Sequence, residues 1–282
     1  MTDVSFSWSG ISFTEDGPYY LTSVSGWDDP PDGSADDQAV AGRHGSRLTR
    51  MVRKARTVTL EGSCVTEASR DDLLNAMADA FAAGFNDGDG TSLLAGSVAG
   101  RDLTADAQLQ RFSPTVEQAR WSKGVFGWAV QFRCPDPLRY GPQSSTVVPI
   151  TVPTLGITFP ISGSWVFASD PVGGPASIFN PGNATADGVF TLTGALSSPG
   201  VVVLETGKKV TFDFSLAATD TLVIDTAAGL CTLNGEYRSP TVASALLDEM
   251  RLPAGALATV QPLGTPLSGS PSLSVTYRPA YW

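Results

Sequence analysis

The chain has 282 residues, 42% of them apolar and only 16% charged, with a net charge of −10. That is enough apolar material for one large or two moderate cores, and the acidity excludes adhesion to nucleic acid by general phosphate attraction, which needs clustered Lys and Arg. The 29 Gly and 20 Pro residues favour many turns between short strands over a few long helices.

Along the first forty residues, Ile11, Phe13 and Tyr19 to Leu21 read as strand material. The next stretch is acidic, with Asp28, Asp29, Asp32, Asp36 and Asp37 around Pro30 and Pro31. The sign then reverses. Arg43, Arg47, Arg50, Arg53, Lys54 and Arg56 fall within fourteen positions, a third of the 18 basic residues. Two oppositely charged loops side by side in sequence suit a head-to-tail contact, the acidic loop of one subunit meeting the basic loop of the next. From Arg56 to Gly62 the pattern alternates, with Val58 and Leu60 on one face of a half-buried strand.

One helix follows. Ser69 is placed as its cap, and Leu73, Leu74, Met77, Phe81 and Phe85 recur on one face of a 3.6-residue period. Gly84 and the turn Asn86 to Gly90 end it. Ala107 to Phe112 and Val125 to Arg133 read as strands, the second with Trp128, Val130 and Phe132 on one face. The proline-stiffened stretch Cys134 to Pro142 marks a boundary. Residues 1–140 are expected to form one domain, 141–175 an extended Pro-, Gly- and Ser-rich arm, and 176–282 a second domain. Its strands are expected at Val189 to Thr193, Val201 to Glu205, Val210 to Leu216, Leu222 to Asp225, Leu230 to Leu233 and Leu273 to Tyr277, with a short helix within Pro240 to Leu252. Strands at this spacing predict a β-sandwich or jelly roll.

Chemistry is sparse. Cys64, Cys134 and Cys231 lie far apart, an odd set that reads as buried thiols and neither disulfides nor zinc ligands. The sole histidine, His44, sits among cations in a loop, and no nucleophile elbow, zinc-protease, phosphate-loop or dinucleotide motif occurs. Asp213, Asp220 and Asp225 read as strand-face and turn residues. No catalytic, cofactor-binding or metal-ligating residue is assigned. No secretory signal and no apolar run long enough to span a membrane is present in these residues.

Several short motifs, in order, resemble the distal tail (Dit) proteins, or minor tail proteins, of phages with long non-contractile tails. They are Gly42 to Gly45, Ala55 to Gly62, the helix with Leu73, Leu74 and Phe81, and Phe132 to Tyr140. In the second half they are Phe179 to Ala184, Leu192 to Gly194, Ile224 to Thr226, Leu233 to Gly235 and Tyr277 to Trp282. The resemblance implies a mainly β chain: a tail-tube-like β-sandwich with one helix, then a galectin-like or carbohydrate-module-like β-sandwich. It implies a hexameric ring at the virion tail tip that joins the tail tube to the tail-tip hub. Tape-measure and receptor-binding proteins are further partners, and DNA passes through the lumen without specific binding. An alternative is a carbohydrate-binding adhesion module that uses exposed aromatics such as Trp165, Tyr281 and Trp282.

Overall fold

The computed structural model describes residues 4–34, 38–39, 44, 46–47, 51–64, 66–86, 91–115, 125–150 and 175–282. They divide into two compact units. The first is Met1–Gly141 with Tyr281–Trp282, and the second is Pro142–Ala280.

In the first unit, β1 (Ser5–Trp8), β2 (Ile11–Phe13) and β3 (Tyr19–Ser25) are followed by four two-residue strands, β4 (Gly33–Ser34), β5 (Gln38–Ala39), β6 (Ser46–Arg47) and β7 (Val52–Arg53). Then come β8 (Arg56–Cys64), the helix α1 (Glu67–Asn86), β9 (Thr91–Val98), β10 (Arg101–Thr115), β11 (Phe126–Cys134) and β12 (Arg139–Tyr140). The main sheet runs β2-β1-β9-β10-β11-β8-β3, with β12 on β10. Its two ends meet at Thr14, which bridges to Tyr20, and the Leu21 N–H donates to the Thr14 carbonyl at 3.0 Å. The sheet thereby closes on itself, which leaves no long open edge there.

The core follows from strand alternation. Along β11, Phe126, Trp128, Val130, Phe132 and Cys134 all point inward, and their intervening neighbours do not. Aromatic pairs fill the interior. Phe6 meets Trp27 edge-on, Trp8 meets Phe132 and Phe13 meets Trp128, each with centroids 5.0 Å apart. The Trp128 indole lies directly over Gly62, where an added Cβ would stand 2.3 Å from its ring and 2.0 Å from the Tyr20 carbonyl. α1 packs on β8 and β10 through Leu73 and Met77, both buried. Its cap is Thr66 and not Ser69. The Ser69 N–H donates to Thr66 Oγ1 at 3.1 Å, which places Ser69 at the third helical position. The side chains of Phe81 and Phe85 lie outside the described residues.

The second unit holds β13 (Ser144–Pro149), β14 (Ala176–Phe179), β15 (Gly188–Val203), β16 (Lys208–Thr211), β17 (Ser215–Leu216), β18 (Thr221–Asp225), β19 (Leu230–Leu233), β20 (Glu236–Tyr237) and β21 (Leu257–Tyr277). Their order is β13-β21-β15-β18-β19-β20, with β14 on β21 and β16 and β17 on β15. The two expected strands 189–193 and 201–205 are one long strand, β15. It pairs antiparallel with β21 from Gly188 opposite Tyr277 to Val203 opposite Val260. Register shifts between Thr193 and Gly200, with Ser198 at φ 48°, bend this pair. The bend also divides the expected strand 210–216 into β16 and β17. At the break, the Phe212 N–H donates to the Pro199 carbonyl and the Ser198 N–H to the Phe214 carbonyl. Phe190, Leu222, Ile224, Leu273 and Val275 from one half of the pair, and Val201, Val210, Phe212 and Val260 from the other, are buried as a sandwich core. Part of the stretch expected as an arm, Ser144–Pro149, is a strand paired with β21, and residues 151–174 lie outside the described set. The helical element within 240–252 is a single 3-10 turn, Leu247–Met250.

The fold is therefore mainly β with one helix, as the strand spacing predicts.

Candidate functional site

The acidic and basic stretches, expected as two loops, are the two legs of one ribbon. Gly33 and Ser34 pair with Arg53 and Val52, and Gln38 and Ala39 pair with Arg47 and Ser46. The Lys54 N–H donates to the Asp32 carbonyl at 2.8 Å, and Arg53 donates to the Pro31 carbonyl at 2.9 Å. Met51 and Val52 remain 63% and 57% exposed.

Arg56 belongs to neither leg. It stands two residues before Val58 and four before Leu60, so the period of β8 turns it inward with them, and it is 1% exposed. Its guanidinium gathers main-chain carbonyls from both ends of the unit. Nε donates to Pro137 at 3.0 Å, and one terminal nitrogen donates to Gly26 at 2.9 Å, Trp27 at 2.8 Å and Asp29 at 2.6 Å. Burial, and then the charge of neighbouring Arg139, lower its pKa to about 10, so it stays cationic at neutral pH. Close approach at Gly26 makes this possible. Its φ is +79°, and a Cβ would lie 1.9 Å from the Thr57 carbonyl.

Arg139 completes the root. It is buried, donates to the Asp28 carboxylate and to the main-chain oxygen of Trp282, and lies 5.6 Å above the Trp27 ring. Asp136 fixes the segment that presents it, accepting from the Leu138 N–H at 2.9 Å and from the Tyr140 hydroxyl. The root thus ties residues 26–29 to residues 136–140 through the planar forks of two cations, which donate six side-chain hydrogen bonds among the described residues.

Of the residues expected to form a subunit contact, Arg56 is excluded from any outer surface by its burial, a correction to the sequence reading. Asp28 keeps 61% of its side chain exposed while holding Arg139. Asp29 accepts the Gly26 N–H at 3.0 Å, and Asp32 uses its carbonyl in the ribbon. Asp36, Asp37, Arg43 and Arg50 lie outside the described residues, as does the side chain of Arg47. His44 is exposed.

Beside the root lies an open cleft of about 280 Å³. Val4, Leu21, Val24 and Val98 line it together with the acidic residues Glu15, Asp28 and Asp29. No basic side chain is among its described lining residues. The charge reading missed this cleft because its walls come from four separate parts of the sequence.

Of the three aromatics expected for glycan contact, two lie among the described residues. Trp165 lies outside the described residues. Tyr281 packs against the core of the first unit with the Arg101 guanidinium 4.9 Å over its ring, and Trp282 is 40% exposed. In the second unit, the acidic residues serve turns. Asp225 accepts the Ala227 and Ala228 N–H groups, and Asp220 accepts from Ala217 and Asn234. Those bonds hold the Asp220 carboxyl below its usual range, the opposite of what a general acid needs. Burial raises each of the three thiols to about 11, away from nucleophilic or ligating use. Among the described residues no group of His, Cys, Asp and Glu has metal-binding geometry, and no helix is long and apolar enough to cross a membrane.

No protein-family model matches the chain, and no curated protein does. A solved structure does. The crystal structure of the SPP1 Dit (gp19.1) protein, described as a paradigm of the hub adsorption apparatus in phages that infect Gram-positive bacteria, aligns over 99% of both chains with a TM-score of 0.66 and 13% identity. The fold is that of a phage distal tail protein. Chains from two baseplate structures of phage p2, in activated conformations with Ca and with Sr, align over 97% of each chain at 11% identity, with TM-scores of 0.46 and 0.44. The motifs that carry the sequence resemblance have structural duties in this distal-tail fold. Asn180 is buried and bonds to Gly182, Ala184 and Pro253, and Thr226 bonds to Gly188. The boundary motif supplies Asp136, Pro137 and Arg139 to the root.

Proposed function

We propose that this chain is a structural, non-enzymatic subunit of a phage tail tip. Six copies form a ring that joins the tail tube to the tail-tip hub, and DNA passes through its lumen. Met1–Gly141 with Tyr281–Trp282 form the ring, and Pro142–Ala280 the outer sandwich. The observation that carries this reading is the end-to-end agreement with the SPP1 Dit fold at 99% coverage of both chains. An agreement over 99% of both chains is more demanding than one sandwich matching another.

The ribbon supports assembly. A two-stranded hairpin is marginally stable alone in water, and this one carries exposed Met51 and Val52 among cations. Such an element gains stability when a neighbour covers it. The net charge of −10 also suits a conduit, because a lumen without clustered cations does not retain DNA. The tube, hub, tape-measure and receptor-binding proteins of the tail are the expected partners.

Light scattering on the purified chain, with negative-stain images of the same peak, tests the reading. The expected mass is six times the 29.4 kDa of one chain, with a central hole in the images. A chain that stays monomeric both alone and with its own tail-tube protein would overturn it.

A further inference from the structure

The acid-lined cleft and the described end of the ribbon's outgoing leg, Met51 to Lys54, are complementary. Those four residues carry two cations and no acid. The cleft carries three carboxylates, Glu15, Asp28 and Asp29, and none of Met51 to Lys54 is among its described lining residues. The leg exposes Met51 and Val52, and the cleft lining includes the half-buried Val4, Val24 and Val98 beside Leu21. At about 280 Å³ the cleft falls just below the roughly 300–1,000 Å³ of small-molecule sites. It has room for one large side chain and part of another. Asp28 is held by Arg139 from one side only and keeps 61% of its side chain open.

We propose that the cleft at Glu15 and Asp28 receives the outgoing leg of a second copy's ribbon, Met51 seating against its valines and Arg53 and Lys54 against its carboxylates. This rests on the ring reading and names its receiving site. The two surfaces lie on different parts of the chain, so the contact is heterologous. Repetition of a heterologous contact closes a ring when the rotation fits, whereas a two-fold contact stops at a dimer.

Cross-linking in the full-length chain tests it. Glu15→Cys combined with Met51→Cys supplies the reactive pair, because all three natural thiols are buried. Mild oxidation is expected to give a ladder of linked chains up to six on a non-reducing gel. In parallel, Glu15→Arg is expected to weaken association about tenfold, and adding Lys54→Glu to restore it. Rings seen by light scattering that neither cross-link at this pair nor respond to Glu15→Arg would overturn the cleft assignment and leave the ring standing. Linked dimers without a longer ladder would overturn the heterologous contact. A chain that neither associates in scattering nor cross-links would overturn the ring reading and the cleft with it.

Discussion

Arg56 and Arg53 stand three residues apart in one basic run, and the structure treats them oppositely. Arg56 is sealed in the root, with four carbonyls of its own chain around it. Arg53 lies on an exposed leg, and its one side-chain bond among the described residues goes to the Pro31 carbonyl. The root is finished within the subunit, whereas the leg presents charge and apolar surface outward. Charge in the sequence therefore says little by itself about which cations hold a fold and which meet a partner. Strand phase and the presence of converging carbonyls decide it.

That contrast is sharpest in the stability of the single chain. Arg56→Ala strands the Gly26, Trp27, Asp29 and Pro137 carbonyls in a buried site and is expected to lower stability by about 3–5 kcal/mol, read as the urea midpoint. A loss below about 1 kcal/mol would remove the distinction between root and leg. Asp28→Asn takes the charge from a pair that is buried on the Arg139 side and open on the other. After discounting for solvent, about 1 kcal/mol is expected, with the same readout.

Alkaline pH separates the regions more finely. The thiols of Cys64 and Cys134, the latter at the root, are raised from 9.0 to about 11. A raised thiol contributes stability that is complete below its unfolded value and is lost as pH climbs toward about 11. Arg56, lowered to about 10, acts in the opposite direction only above that pH. Between pH 9 and 10 the stability of the first unit is expected to fall, and Cys134→Ala should reduce the slope of urea midpoint against pH. An unchanged slope would show that root burial does not govern this titration. The smallest effect on the isolated chain belongs to the leg. Reversing Arg47 and Arg53 to Glu should leave its stability within about 0.5 kcal/mol, while raising the concentration needed for assembly and its salt dependence. A large drop in single-chain stability would mean that the leg, too, is finished within the subunit.

The sequence by itself determined the mainly β fold, the single helix and the inward faces of β8 and β11, because these rest on local periodicity. Val58 and Leu60, or Trp128, Val130 and Phe132, cannot share a face without a two-residue repeat. The phase of Arg56 was legible in the same way, two positions before Val58, but grouping it with the other cations by charge concealed it. Arg139 stood in a recognised motif without a visible role. Only the tertiary structure decided that the acidic and basic stretches are one ribbon, and that Glu15, Asp28 and Val98 border one cleft. It also decided that β15 continues through its bend at Ser198. These features depend on contacts between residues tens of positions apart, where neither spacing nor composition carries a signal. A guanidinium is buried only where distant segments present their carbonyls to it, and that convergence exists only after the chain has closed.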